Sequence, residues 1–213
     1  MIYSEQTAAQ TAKHLLQINA IKLNPENPFI WASGWKSPIY CDNRLALSYP
    51  KVRDFLAENM AQQVKKLYGT EVTIAGVATG AIGIGMLVAE KLDLPFIYVR
   101  PEAKKHGRQN QIEGHVPAGK PIVVIEDLIS TGKSSLNAVA AIKEQQYEVL
   151  GMLALFSYGF NIAEENFSQQ NIPLHTLSNY DHLLRFANQE KAITDAQLNT
   201  LSQWRKDPSN WTP

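Results

Sequence analysis

The stretch "IVVIEDLISTGKSS", Ile122 to Ser135, decides how the chain folds. Four apolar, β-branched-rich residues read as a buried strand. Glu126 and Asp127 end it side by side, Gly132 sits in a small polar loop, and "KSSLNAVAAIKEQQ" continues at helical spacing. A strand, a Gly loop and a helix N-terminus in that order form an anion cradle. Small residues let backbone amides turn inward, and the helix adds its positive end.

Outward from this stretch the same alternation recurs. "VTIAGV" (72–77) is a short apolar run, "ATGAIGIG" turns into a helix ending near Leu92, and "PFIYVR" (95–100) is a further strand. "PEAKKHGRQNQIEG" reads as a polar loop, "EVLGMLALFSY" as a strand, and "PLHTLS" as a short strand between helical stretches Ile162–Gln169 and Tyr180–Gln189. Strands alternating with helices predict βαβ units and a largely parallel sheet. Such sheets bind ligands at the carboxyl ends of their strands, and the loops after Val77, Arg100 and Asp127 all leave such ends.

Upstream, Ser4 caps a predicted helix to Ala20 with Ala8, Ala12, Leu15 and Leu16 at helical spacing, Ile18 falling off that stripe. Pro50 opens a second helix with the stripe Val52, Phe55, Leu56, Met60 and Val64, running to Gly69. Between them, "NPENPFIWASGWKSPIYCDNR" reads as loop and short irregular strands. "DAQLNTLSQWRKD" reads as an amphipathic helix with Leu198, Leu201 and Trp204 near one face, packing on the core or on the segment that covers the site.

The bulk properties narrow the class. The 213 residues suit one domain, and 45% hydrophobic residues suffice for a core. Lys plus Arg and Asp plus Glu number 20 each, which argues against a general nucleic-acid surface while permitting a local anion pocket. Cys41 is the single cysteine, so no internal disulfide is possible, and it reads as a small apolar residue rather than a nucleophile. No apolar run approaches the ~20 residues of a membrane span, and "MIYSEQTAAQ" carries no signal-peptide pattern. A cytoplasmic globular protein is the expectation.

Two look-alikes fail. A Walker loop ending in "GKSS" needs Gly where Asp127 stands, and a dinucleotide fingerprint from Gly83 and Gly85 needs Gly where Val88 stands. Two acids beside a phosphate are repelled unless the ligand offers them something else. A ribose 5-phosphate offers a phosphate for the loop and a hydroxyl pair for the acids. The plainer alternative is a solvated loop with two surface acids, which suits poorly an apolar strand ending directly in both.

The 122–134 pattern resembles the PRPP-binding signature of type I phosphoribosyltransferases. With "SGWKSPIYCDNR" and "IYVRPEAKKHGRQNQIEG" in the same order, the chain from about Phe29 to Tyr158 is similar to the orotate phosphoribosyltransferases. The resemblance implies an α/β fold with a central mostly parallel sheet flanked by helices and a small hood built mainly from the N-terminal region. One domain is expected over 1–213, with a hood over about 1–50, a core over about 51–190 and a C-terminal helix over about 193–207.

It also implies roles. Glu126 and Asp127 would hold the ribose hydroxyls, and Leu128, Ile129, Ser130, Thr131, Gly132, Lys133 and Ser134 would wrap the 5-phosphate. Asp127 would help stabilise the oxocarbenium-like carbon, and Ser130 would also face orotate. Arg100, Lys104, Lys105 and His106 would bind pyrophosphate oxygens, with Lys104 and His106 catalytic on a loop hinged at Gly107. In the family that loop, here about 101–114, reaches the neighbouring site of a homodimer. Ala78, Thr79 and Gly80 would form a pyrophosphate-facing turn, although a simple strand-to-helix turn fits as well. Lys36 would pair with orotate and Tyr40 would line its pocket, while Trp31 and Trp35 would pack. Mg²⁺ would arrive on PRPP without direct protein ligands.

Four positions depart from the family pattern. Ala32 stands where many relatives have an orotate-facing Lys, with Lys36 a candidate to take over. Pro101 replaces a second Lys of the basic loop, and Lys133 a small residue. "LFSYGF" lacks an Arg that helps read the base, leaving Asn161 or backbone amides. Purine phosphoribosyltransferases share the PRPP signature, but "SPIYCDNR" argues for orotate. A PRPP-sensing regulator fits less well with the Lys104 and His106 loop. A glutamine amidotransferase needs an N-terminal Cys, whereas the chain reads Met1-Ile2. His14, His115, His175 and His182 are scattered and receive no role.

Overall fold

The computed structural model describes residue 2 and residues 4–31, 33–102 and 111–212. Helix α1 (Glu5–Gln17) starts where the Ser4 hydroxyl accepts from the Thr7 amide, 3.3 Å. It stops short of the expected Ala20 because Asn19 adopts a left-handed φ of 56°. Its buried face is Ala8, Thr11, Ala12 and Leu15. Four short strands follow: β1 (Ile21–Leu23), β2 (Phe29–Ile30), β3 (Lys36–Ser37) and β4 (Ile39–Cys41). They pair as two antiparallel ribbons, β1 with β4 and β2 with β3. A 3-10 helix (Asn43–Ser48) leads into α2 (Pro50–Tyr68), with Pro50 at the first turn as its missing N–H allows.

The remaining elements alternate. They are β5 (Thr73–Val77), α3 (Gly80–Leu92), β6 (Phe96–Val99), β7 (Ile112–Glu113), β8 (Ile122–Ile129), α4 (Lys133–Glu144), β9 (Val149–Ser157), α5 (Asn161–Gln169), β10 (Leu174–Asn179), α6 (Tyr180–Gln189) and α7 (Asp195–Lys206). Six strands form one sheet in the order β10-β9-β8-β5-β6-β7. All neighbours run parallel except β7, which is antiparallel to β6. Every residue of β5 is buried, as is Ile122–Glu126 of β8, which explains their continuous apolar spelling. Leu56, Met60 and Val64 of α2 are fully buried, each such side chain contributing roughly 1.5–3 kcal/mol.

Two features differ from the sequence reading. Strand β8 does not end at Asp127. Because β9 is long enough to pair with it, Leu128 lies opposite Phe156 and Ile129 opposite Ser157. Ile129 is fully buried and its carbonyl accepts from the Tyr158 amide, so its side chain belongs to the core rather than to a phosphate loop. Second, α1 lies against the sheet rather than among the hood ribbons. The Ser178 hydroxyl of β10 donates to the Ala8 carbonyl at 2.8 Å, and Thr7 donates to Asn59 of α2.

Helix α7 begins with a reciprocal Thr194–Gln197 capping box and buries Leu201 and Trp204. It packs on both the core and the hood. The Trp204 ring meets Tyr158, Phe160 and Tyr180 from the core and Trp31 from the hood, and its Nε1 donates to the Lys36 carbonyl at 3.2 Å.

Candidate active site

The carboxyl ends of β5, β6 and β8 meet where parallel-sheet geometry predicts a ligand. Near the end of β8, Glu126 is 5% exposed and both its oxygens are engaged. Oε1 accepts from the Asp127 amide at 3.0 Å, and Oε2 accepts from the buried Ser135 hydroxyl of α4 at 2.7 Å. Burial, with the neighbouring Asp127 charge second, pushes its carboxyl well above the usual carboxylate range. Asp127 is more open, and burial raises it as well. Of the paired acids, Asp127 is thus the less buried, and Glu126 ties strand to helix.

Asp127 also meets the turn after β5. Its carboxylate lies directly against Gly80, leaving no room for a Cβ there. The Ala78–Thr79 peptide in this turn is cis. The turn predicted from Ala78, Thr79 and Gly80 thus packs directly against the acid, and that approach explains the glycine.

The loop after β8 is Ser130, Thr131 and Gly132. Gly132 has φ 77°, and the Phe167 ring fills the space a Cβ would need. Asn166 of α5 donates to the Thr131 carbonyl at 3.0 Å, fixing the loop from behind. No side chain among the described residues caps α4, so its first amides are left without a side-chain partner, with Lys133 and Ser134 exposed beside them.

Arg100 leaves β6, its backbone amide donating to the Gln111 carbonyl at 2.8 Å and its guanidinium 3.6 Å from Glu113. Lys104, Lys105, His106, Gly107 and Arg108 lie outside the described residues, as does Ala32.

Beside Ser130 opens a cavity of about 560 Å³ with an aromatic lining: Trp31, Trp35, Tyr40 and Tyr158, together with Ile30, Ser33, Cys41, Leu128, Ser130 and Thr131. Ser130 and Tyr40 thus line one and the same cavity. Lys36 is exposed on β3 and is not among the lining residues. Trp31 packs against Trp204, as expected, yet also forms the wall. Asn161 lines a separate neighbouring cavity of about 730 Å³ rather than this one.

Sequence reasoning missed three participants. Asn43 is 2% exposed and donates to the Asp127 carbonyl at 2.6 Å. Tyr158 and Trp204 build the pocket wall and its backing. The only signal available was the apolar face of α7, which announces burial but not what it is buried against.

Comparison with known proteins gives one consistent picture. A family model for the phosphoribosyl transferase domain matches residues 47–171. An orotate phosphoribosyltransferase of Cytophaga hutchinsonii is 52% identical over 202 residues, covering 95% of this chain and 97% of its own. A crystal structure of orotate phosphoribosyltransferase from Aeropyrum pernix superposes with a TM-score of 0.71 at 26% identity, over 86% of this chain and 99% of that one. UMP synthase of Leishmania donovani superposes with a TM-score of 0.77 at 25% identity, over 92% of this chain and 42% of that longer one.

Proposed function

This chain belongs to the orotate phosphoribosyltransferase family, and from that membership we infer that it transfers the 5-phosphoribosyl group of PRPP to orotate. The products are orotidine 5-monophosphate and pyrophosphate, a step in pyrimidine synthesis. The observation that carries the reading is the position of Asp127. Its carboxylate lies against the Gly80 turn, and the strand that carries it goes on to deliver Leu128 and Ser130 to the aromatic cavity, so a ribose beside Asp127 could link a phosphate to a base.

In this reading the 5-phosphate sits on the Ser130–Ser134 amides and the N-terminus of α4. Asp127 accepts from the ribose hydroxyls and stabilises positive charge as the bond from the anomeric carbon to pyrophosphate breaks. The orotate ring nitrogen then forms the new bond. Glu126, buried and held by Ser135, shapes the acid pair and contributes little direct contact. Leu128 and Ile129 act through the strand that delivers Ser130. Trp31, Trp35, Tyr40 and Tyr158 enclose the flat base and exclude water. Arg100, with Lys104, Lys105 and His106 on the 101–114 loop, neutralises leaving pyrophosphate, and the loop serves the partner site of a homodimer. Lys36 has its backbone carbonyl tied to Trp204, leaving its exposed ammonium to approach orotate from the rim.

Mg²⁺ takes few protein ligands and several phosphate oxygens, so it would arrive on PRPP without a direct ligand from this chain. When bound on PRPP it would neutralise the pyrophosphate. The hood ribbons, the core over about 51–190 with α1 packed on it, and the helix over about 193–207 act as one domain in this account, working in the cytoplasm. No described helix is long and apolar enough to cross a membrane.

The test is a spectrophotometric assay with PRPP and Mg²⁺, offering orotate, uracil, adenine and hypoxanthine in parallel. PRPP-dependent loss of orotate absorbance is expected. Turnover of another base alone would overturn the orotate assignment, and PRPP binding without turnover of any base would favour a regulator.

A further inference from the structure

We propose that Asn43 is a positioning residue that ties the wall of the base pocket to Asp127. The proposal deepens the orotate phosphoribosyltransferase reading and rests on it.

The backbone of Asp127 is held from both sides by side chains. Its amide donates to Glu126 Oε1 at 3.0 Å, and its carbonyl accepts from Asn43 Nδ2 at 2.6 Å. Gly80 closes the third side against the carboxylate itself. With both peptide neighbours fixed, the direction in which the carboxylate leaves the strand is fixed too.

The other end of the Asn43 amide faces the base. Its Oδ1 accepts from the Cys41 thiol at 3.2 Å, and Cys41 lines the aromatic cavity. A carbonyl can only accept, so Asn43 must present its NH₂ to Asp127 and its oxygen to the thiol. Burial, then the charges of Asp127 and Asp42, push the Cys41 thiol well up, which keeps its proton in place for this bond. A continuous chain therefore runs from the pocket wall through Cys41 and Asn43 to Asp127, joining residues 84 positions apart. At 2% exposure, Asn43 is shielded from bulk solvent, so losing either partner leaves a buried polar group unpaired.

Two variants separate the two ends. Asn43→Asp keeps the shape and an acceptor for Cys41 but removes the donor to Asp127. It is expected to lower kcat about tenfold, the scale of one lost buried hydrogen bond, while the orotate KM stays within about twofold. The neutral Asn43→Ala removes both bonds and separates lost donation from added charge. It is expected to lower kcat similarly and to raise the orotate KM about threefold. Far-UV CD and PRPP-binding stoichiometry report the folded fraction, to which both constants are normalised. A merely structural residue would reduce active enzyme without this kcat-against-KM split. If either variant, so normalised, keeps kcat within about twofold of the parent, or if the split is absent, the proposal is overturned. If the parent enzyme shows no PRPP-dependent loss of orotate, the functional reading itself falls and the proposal with it, an outcome seen before any variant is made.

Discussion

The indole nitrogen of Trp204 donates to the carbonyl of Lys36 across 168 residues of chain, and the same ring packs edge-on against Trp31. One side chain of the last helix thus holds both hood ribbon β2–β3 and a wall of the aromatic cavity. Trp204→Phe removes the donor and part of the ring. We expect a loss of about 1–3 kcal/mol in denaturant unfolding and a rise in orotate KM with PRPP KM little changed. Equal shifts in both KM values would show that the helix does not act through the base pocket.

Gly80 has no room for a methyl group beside the Asp127 carboxylate. Gly80→Ala should therefore displace Asp127 or open the turn, cutting kcat/KM for PRPP by about a hundredfold or more, an order of effect set by geometry at reacting distance. A melting temperature close to the parent's with normal kcat/KM would contradict this placement.

Glu126 carries a carboxyl raised by burial. Between its ordinary unfolded value of about 4.3 and its higher folded value, the native state binds more protons than the unfolded chain. Stability is thus fully present below the unfolded value and declines as pH rises through the folded one. Gln at this position can accept from the Asp127 amide and donate to the Ser135 hydroxyl, and it does not ionise. Glu126→Gln should flatten the decline in stability from pH 4 upward, measured by urea unfolding across pH. Parallel curves for both proteins would refute the assignment of that slope to Glu126. Asp127, raised in the same direction, contributes to the slope that remains.

Lys104→Ala should cut turnover by orders of magnitude while PRPP still binds, and Asp127→Asn should also impair turnover. Titration of PRPP against each variant, alongside initial rates, distinguishes lost chemistry from lost binding. Unimpaired rates would remove Lys104 from catalysis, or Asp127 from the ribose site.

The sequence by itself determined what is local. Continuous apolar runs marked the strands, Ser4 and Pro50 marked helix starts, and "EDLISTGKSS" marked two acids and a Gly loop between one strand and the next helix. These signals are legible because each depends on residues within a few positions of one another. Strand pairing decided where β8 stops, since Leu128 and Ile129 become strand only when Phe156 and Ser157 lie beside them. Tertiary contact decided the rest of the site. Gly80 reads as an ordinary turn glycine until Asp127 is brought against it. Asn43 reads as a loop residue until its amide meets the Asp127 carbonyl, and Trp204 as one more apolar helix position until it reaches Lys36. Those contacts join segments 47, 84 and 168 residues apart. A pattern of spacing along the chain carries no record of such approaches, because they arise only when separate elements are packed together to bury their apolar faces.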